Sequence, residues 1–236
     1  MKEKIFESDR YLDFFNEIAS TYDTITKSYL EIEKAYLIEA ICKFAYSKTR
    51  RVSLLDLGAG SGRILSDLLS ILELEDRLDF VAIVDPSPNM LGHCQAKLKH
   101  CLRQTKKLEF VQTTANAFIN TCNRRFDIIL CNLVCSTSGL PMGFFRAIKC
   151  LLNSHGMFAF SDIHPLKIQD SPFFKLCGNG IMYKLRLKGY SQNELFTQVI
   201  RAKFSIISAI TINEDSHRPS VLILLMEKDD AQYQKT

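Results

Sequence analysis

The chain has 236 residues, nearly half of them apolar and about a quarter charged, with a formal net charge of +4. That is the size and composition of one globular domain with a full core, and so modest a Lys and Arg excess, much of it near Lys97 to Lys107 and Lys184 to Lys188, does not call for a polyanionic partner. The eight cysteines form no C-x-x-C pair and have no histidine at ligand spacing, which argues against a zinc site or a disulfide framework and fits a reducing, cytoplasmic setting. Met1 to Phe6 lacks the apolar core of a signal peptide, and no later run reaches the roughly 20 residues of a membrane helix.

In chain order, residues 10–46 read as helical, with apolar faces from Phe14, Phe15, Ile18 and Tyr22, then Tyr36, Leu37, Ile41 and Phe44. Val52 to Leu57 is an almost continuously apolar strand, of the kind buried in a parallel sheet. Gly58, Gly60 and Gly62 break it and allow the backbone to turn and approach a ligand. Ile64 to Leu72 then has helical spacing, so a strand, a glycine loop and a helix N-terminus together make a cradle for a cofactor. Leu78 to Asp85 is a second buried strand ending in an acid, followed by a helix through Met90, Leu91, Cys94 and Leu98. Asp85 is placed to accept from ribose hydroxyls, and the alternative is that Asp85 or Ser87 caps that helix.

Leu108 to Gln112 reads as the third strand and Phe126 to Val134 as the fourth. An amphipathic helix over 140–152 leads through the turn Asn153-Ser154-His155-Gly156 into a fifth strand, Met157 to Asp162. Pro165 to Gly189 shows no long period and reads as a connection that covers the site. Ser191 with Glu194 is a capping box ahead of Leu195, Phe196, Val199 and Ile200. Phe204 to Ile212 and Ser220 to Met226 are the last two strands, and Asp229 to Thr236 is a polar tail.

The loop Asp56-Leu57-Gly58-Ala59-Gly60-Ser61-Gly62 is G-x-G-x-G rather than the G-x-G-x-x-G of dinucleotide folds. It resembles motif I of the class I S-adenosylmethionine-dependent methyltransferases, in which the loop backbone meets the amino-acid part of the cofactor. Phe15 to Asp23 resembles the "F-x-x-x-A-x-x-Y-D" entry helix of small-molecule members such as the ubiquinone, menaquinone and biotin-synthesis methyltransferases. Asp85-Pro86-Ser87-Pro88-Asn89-Met90-Leu91 is similar to motif II, Phe126 to Val134 to motif IV, and Leu151 to Asp162 to the stretch leading into the fifth strand. Thr114 stands where the family usually has the acid that meets adenine, and Asn132-Leu133-Val134-Cys135 departs from the Asn-Pro-Pro-Tyr tetrad of amide and adenine methyltransferases.

The resemblance implies an α/β, Rossmann-like fold: a seven-stranded, mostly parallel sheet with a C-terminal antiparallel hairpin and helices on both faces. It implies a single domain, with residues 10–46 as a helical cover, 50–162 as the cofactor-binding core, 163–190 as a substrate-covering insertion and 191–228 as the last helix and hairpin. The cofactor is S-adenosylmethionine, leaving as S-adenosylhomocysteine, with no metal. It would be held by Tyr22, Asp56, Gly58, Ala59, Gly60, Asp85, Pro86, Ser87, Met90, Thr114, Ala115, Asn116 and Asn132.

The acceptor is expected to be a small molecule positioned by Tyr22, Phe173, Tyr183 and Tyr190, though aromatic residues at these places serve equally as core. An acceptor needing a base points to His164, because histidine titrates near neutral pH, and then to Asp162. A histidine beside Pro165 at a strand end is also an ordinary turn residue. An RNA or protein methyltransferase, or a cofactor-binding protein without transfer, are the alternatives.

Overall fold

The computed structural model describes residues 2–26, 31–71, 76–99, 107–215 and 218–229. The basic stretch 100–106 and most of the polar tail, 230–236, lie outside the described residues. The strands are β1 (Lys2–Phe6), β2 (Val52–Leu57), β3 (Leu78–Asp85), β4 (Lys107–Gln112), β5 (Phe126–Asn132), β6 (Leu152–Ile163), β7 (Phe173–Gly178), β8 (Ile181–Arg186), β9 (Ser205–Asp215) and β10 (Arg218–Glu227). The helices are α1 (Tyr11–Ile18), α2 (Tyr22–Thr26), α3 (Glu31–Ser47), α4 (Arg63–Ser70), α5 (Pro88–Lys99), α6 (Ala115–Thr121), α7 (Cys135–Ser138), α8 (Phe144–Leu151), α9 (Pro165–Asp170) and α10 (Gln192–Ala202).

The main sheet has seven strands in the order β4-β3-β2-β5-β6-β10-β9. The pairs from β4 through to β6 are parallel, and β10 runs antiparallel to both β6 and β9. This is the expected architecture. Alternation along β2 sends Leu55 and Leu57 to one face and Val52 and Leu54 to the other, as a strand period of two requires. The first face packs on α6, α8 and α10, with Phe144, Phe145, Phe158 and Phe160 in mutual ring contact. The second packs on α3, α4 and α5 through residues such as Leu37, Ile41, Leu65 and Leu98. Burial on both faces explains why these strands are apolar runs rather than alternating ones.

Asp127, near the start of β5, fastens the end of the sheet remote from the glycine loop. Its carboxylate takes both terminal nitrogens of Arg50 at 2.9 and 2.6 Å, the Ser53 amide at 2.8 Å and Asn153 Nδ2 at 2.8 Å. The capping box is formed as the sequence indicates: Ser191 Oγ accepts from the Glu194 amide, and Glu194 accepts from the Ser191 amide at 2.7 Å.

A second sheet was not anticipated. Lys2–Phe6 pairs parallel to β8, and β7 pairs antiparallel to β8, giving the order β1-β8-β7. The stretch read as an aperiodic connection is therefore a short helix and a hairpin. This sheet buries Phe6, Leu176 and Leu185 against Phe14, Ile18 and Met90, so it and α1 share a small core of their own. Only one residue of β1 is buried, which is why a period of two is not visible there. The turn at 153–156 also differs from expectation: it lies within β6, where the partner of β5 shifts from Leu152 to Met157 across a bulge.

Candidate active site

A cavity of about 280 Å³ opens at the C-terminal ends of β2, β3, β4 and β5. Parallel α/β sheets bind ligands at this edge because crossover helices begin there and leave a crevice where the strand order reverses. Here the reversal falls between β3 and β5, on either side of β2.

The glycine loop forms the floor. Gly58, Gly60 and Gly62 have φ of +79°, +55° and +71°, a region that disfavours residues with a Cβ. A Cβ on Gly58 would lie 2.3 Å from Val134 Cγ2, and one on Gly62 would lie 2.4 Å from Cys94 Sγ. The Gly58 and Ala59 amides donate to Val84 O at 2.7 and 2.9 Å, the Gly62 amide to Ala59 O at 2.9 Å, and the Gly60 amide to Asp85 Oδ2 at 2.9 Å. These donors are consumed within the protein. The loop is therefore poorly equipped to cradle a pyrophosphate, which needs free amides.

Asp56, Gly58, Ala59 and Gly60 line the cavity from β2, and Asp85, Pro86, Ser87 and Met90 from β3 and α5. Thr114, Ala115 and Asn116 line it from the start of α6, Asn132 from the end of β5, and Tyr22 from α2. The structure thus brings together every residue expected to hold the cofactor. Some carry a second duty. Asp85 also accepts from the Ser87 amide at 2.9 Å, so it ties the ends of β2 and β3 together. Ser87 Oγ caps α5 through the Met90 amide and donates to Asn16 Oδ1 at 2.6 Å, anchoring α1 above the floor. Thr114 caps α6, accepting from the Ala117 amide at 3.2 Å.

The electrostatics follow from burial. Desolvation pushes Asp56 from 3.8 up to about 7, with the charge of Asp85 adding to the rise. No donor meets the Asp56 carboxyl among the described residues. Burial also raises Asp85, against the pull of the Ser87 and Gly60 amides. Tyr22 is raised to about 12, mainly by burial, and stays a phenol. The cations facing the cavity among the described residues are Arg63 and Lys188.

The residues expected to act on the acceptor are placed elsewhere, Tyr22 excepted. His164 is buried as the N-cap of α9, with Nδ1 accepting from the Leu166 amide at 3.2 Å, and burial lowers its pKa. Asp162 is fully buried, accepting from the Ser136 and Ile163 amides at 2.8 Å each, and desolvation raises it to about 6. Neither lines the cavity. Tyr190 is in the core, its hydroxyl donating to Ile163 O at 3.4 Å. Tyr183 packs on the small core, and Phe173 lies beneath the Arg186 guanidinium, 4.8 Å from ring centroid to carbon. The neighbouring Phe174 instead reaches a narrow cleft shared with Phe15 and Tyr22.

The sequence did not point to the rest of the cavity wall: Leu133 to Cys135, Thr137 to Gly139, Phe144 and Lys188, with Tyr11, Leu12 and Phe15 from α1. One signal was available, since this wall follows directly on Asn132. Leu133 has φ +56°, uncommon for a residue with a Cβ, and its amide donates to Ser161 O at 2.9 Å. Gly189 donates to Ser136 O at 3.0 Å, which holds Lys188 beside the same turn.

A family model described as a methyltransferase domain matches residues 48–204. The chain belongs to this methyltransferase family. The methyltransferase has the fold of solved S-adenosylmethionine-dependent enzymes. Magnesium protoporphyrin IX methyltransferase from Synechocystis PCC 6803, solved with bound S-adenosylmethionine, is 13% identical with a TM-score of 0.63, over 94% of this chain and 97% of that one. DhpI, solved as a SAM-HEP complex, is 17% identical with a TM-score of 0.63, over 92% and 96%. The N-methyltransferase NodS from Bradyrhizobium japonicum WM9 is 12% identical with a TM-score of 0.56, over 82% and 94%. At such identities the likeness is one of fold. No curated protein sequence matches the methyltransferase.

Proposed function

We propose that this methyltransferase moves a methyl group from S-adenosylmethionine to a small-molecule acceptor bound beneath a roof of α1 and α2, which line the cavity through Tyr11, Leu12, Phe15 and Tyr22. The observation that carries the reading is the meeting of Asp56, Asp85, the positive-φ glycine loop and Asn132 around one cavity at the C-terminal edge of the sheet. The residues fit the cofactor. Gly58 leaves room that a Cβ would fill, the Asp56 carboxyl lines the cavity with no donor among the described residues, and the Gly58, Ala59, Gly60 and Gly62 amides are already spent, as suits a ligand without a pyrophosphate. When bound, S-adenosylmethionine supplies an electrophilic methyl group on a sulfonium.

Asp85, held by the Gly60 and Ser87 amides, keeps lone pairs for ribose hydroxyls, and Thr114 to Asn116 face the adenine end. Tyr22, Phe15 and Phe144 give the acceptor an apolar surround, and Thr137, Ser138 and Lys188 give it polar contacts. The chain's own part is alignment and exclusion of water. The roof that does this is clamped to the floor: Asn89 Nδ2 donates to Asn16 O at 2.9 Å, and Asp23 takes both Ser61 Oγ and Lys97 Nζ. The likeness of Phe15 to Asp23 to the entry helix of small-molecule methyltransferases supports a small acceptor over a polymer. His164 and Asp162 take no part in this scheme. The seven described cysteines are all free, in keeping with a reducing, cytoplasmic setting.

Calorimetric titration with S-adenosylmethionine, S-adenosylhomocysteine and NADH tests the reading. The two sulfur ligands should bind, and Asp85→Ala should weaken them by roughly 10- to 100-fold, the worth of one or two hydrogen bonds to a charged group. Binding of NADH alone, or of none of the three, would refute it. Transfer of labelled methyl to phenols, quinone precursors and amines then identifies the acceptor.

A further inference from the structure

The first turn of α3 carries an acid where the core asks for an apolar residue. Glu33, Leu37, Ile41 and Ala45 follow at intervals of four and are the buried residues of this helix, Glu33 only 1% exposed. Its Oε1 accepts from Asn132 Nδ2 at 2.7 Å, and the same Nδ2 is 2.7 Å from Ser161 Oγ. Its Oε2 has no hydrogen-bond partner among the described residues. A leucine would continue the stripe without that desolvation cost. Burial, foremost among the causes, raises the Glu33 carboxyl to about 7, while Ser161, Arg63 and Asn132 oppose the rise.

The amino group of Asn132 faces Glu33, whose Oε1 accepts from it. With its amino group turned to Glu33 and Ser161, Asn132 has its amide oxygen left over, and Asn132 lines the cavity. On the neighbouring strand Asp56 pairs with Leu130, two residues before Asn132, so two acceptors stand side by side at the strand ends. Arg63, whose charge acts on both Tyr22 and Glu33, lines the same cavity. Two oxygen acceptors beside a guanidinium suit an amino-acid zwitterion: the ammonium meets the oxygens and the carboxylate meets the arginine.

We propose that Glu33 is a positioning residue that, with Ser161, holds the amino group of Asn132 at the back of the cavity and so presents the Asn132 amide oxygen to the ammonium of the cofactor's methionine part. The inference rests on the cofactor reading above. It concerns binding, and binding tests it without knowledge of the acceptor.

Two ligands discriminate. S-adenosylhomocysteine carries the zwitterion, and 5′-methylthioadenosine keeps the adenosine and the sulfur but lacks it. Glu33→Leu preserves the apolar stripe and removes the acceptor; Asn132→Ala removes the amide from a part-exposed position. Each should weaken S-adenosylhomocysteine about 10-fold, a net hydrogen bond to a charged group, and change methylthioadenosine less than about twofold. Glu33→Gln, whose Oε1 still accepts from Asn132, should stay near wild type. Glu33→Leu added to Asn132→Ala should cost nothing more, because the first acts through the second.

Parallel loss of both ligands would mean a general structural role and would overturn the proposal. So would unchanged S-adenosylhomocysteine affinity in Glu33→Leu, whatever Asn132→Ala does. Wild-type protein that binds neither ligand would refute the cofactor reading itself; wild-type binding with indifferent variants would refute only the role of Glu33.

Discussion

Asp56→Asn should make the unliganded protein more stable, and by an amount that depends on pH. Asp56 is nearly fully buried, and desolvation followed by the charge of Asp85 raises its carboxyl from 3.8 to about 7. Between those values the native state holds a proton that the unfolded chain has released. The stabilisation is therefore complete below the unfolded value and is lost as pH rises through the native one.

Each decade is worth ~1.4 kcal/mol, so by about pH 8 ionisation of Asp56 has cost the fold about 4 kcal/mol, and by about pH 5 about 2 kcal/mol. Asparagine has the same shape and no charge to bury. Urea denaturation of both proteins at the two pH values should show the gain from Asp56→Asn growing by about 2–3 kcal/mol between them. Glu33 titrates in the same direction in both proteins and cancels in the difference. An equal gain at both pH values, or a loss at the higher one, would refute the claim that Asp56 is held in the cavity as an uncompensated acid. The same substitution should weaken S-adenosylhomocysteine, because the asparagine oxygen still accepts from the ammonium but no longer carries the negative charge that strengthens that bond.

Two further outcomes follow from groups away from the cavity. Burial by itself would raise Asp127, but Arg50, the Ser53 amide, Asn153 and the Ser53 hydroxyl together bring it down to about 2. Its contribution is present above the unfolded value of 3.8 and is lost as pH falls through about 2. Asp127→Asn should thus cost about 2 kcal/mol near neutral pH and progressively less in acid, by urea denaturation, with S-adenosylhomocysteine affinity unchanged in calorimetry because this residue lies at the far end of β5. His164→Asn, which keeps an N-cap acceptor, should leave stability within about 0.5 kcal/mol of wild type, whereas His164→Ala should lose about 1 kcal/mol. Neither should alter the pH profile of methyl transfer, and a selective loss of turnover with intact cofactor binding would restore His164 as the base.

The strand-end residues that line the cavity were legible because their signals are local. Three glycines needing positive φ, an acid closing β3, and the turn into α6 are each written within a few consecutive residues, and chain connectivity in a parallel sheet delivers all such strand ends to one edge. The acceptor side was not legible. His164 and Asp162 stand at the end of β6, where a base is expected, yet backbone amides claim both, and which amides approach them depends on packing between elements distant in the chain. Glu33 heads an i, i+4 apolar stripe, but its local pattern did not single it out, because its partner is Asn132, 99 residues away.

The sequence by itself therefore determined the main sheet, the glycine loop and the strand-end residues that meet at the cavity, because hydrophobic period and backbone chirality act over neighbouring residues. Only the tertiary structure decided the second sheet. Lys2–Phe6 and the β7–β8 hairpin bury few side chains and carry almost no periodic signal. Their backbone groups become a sheet by pairing with strands that folding brings alongside, and the same folding leaves Tyr22 at the cavity while keeping Tyr183 and Tyr190 out of its walls.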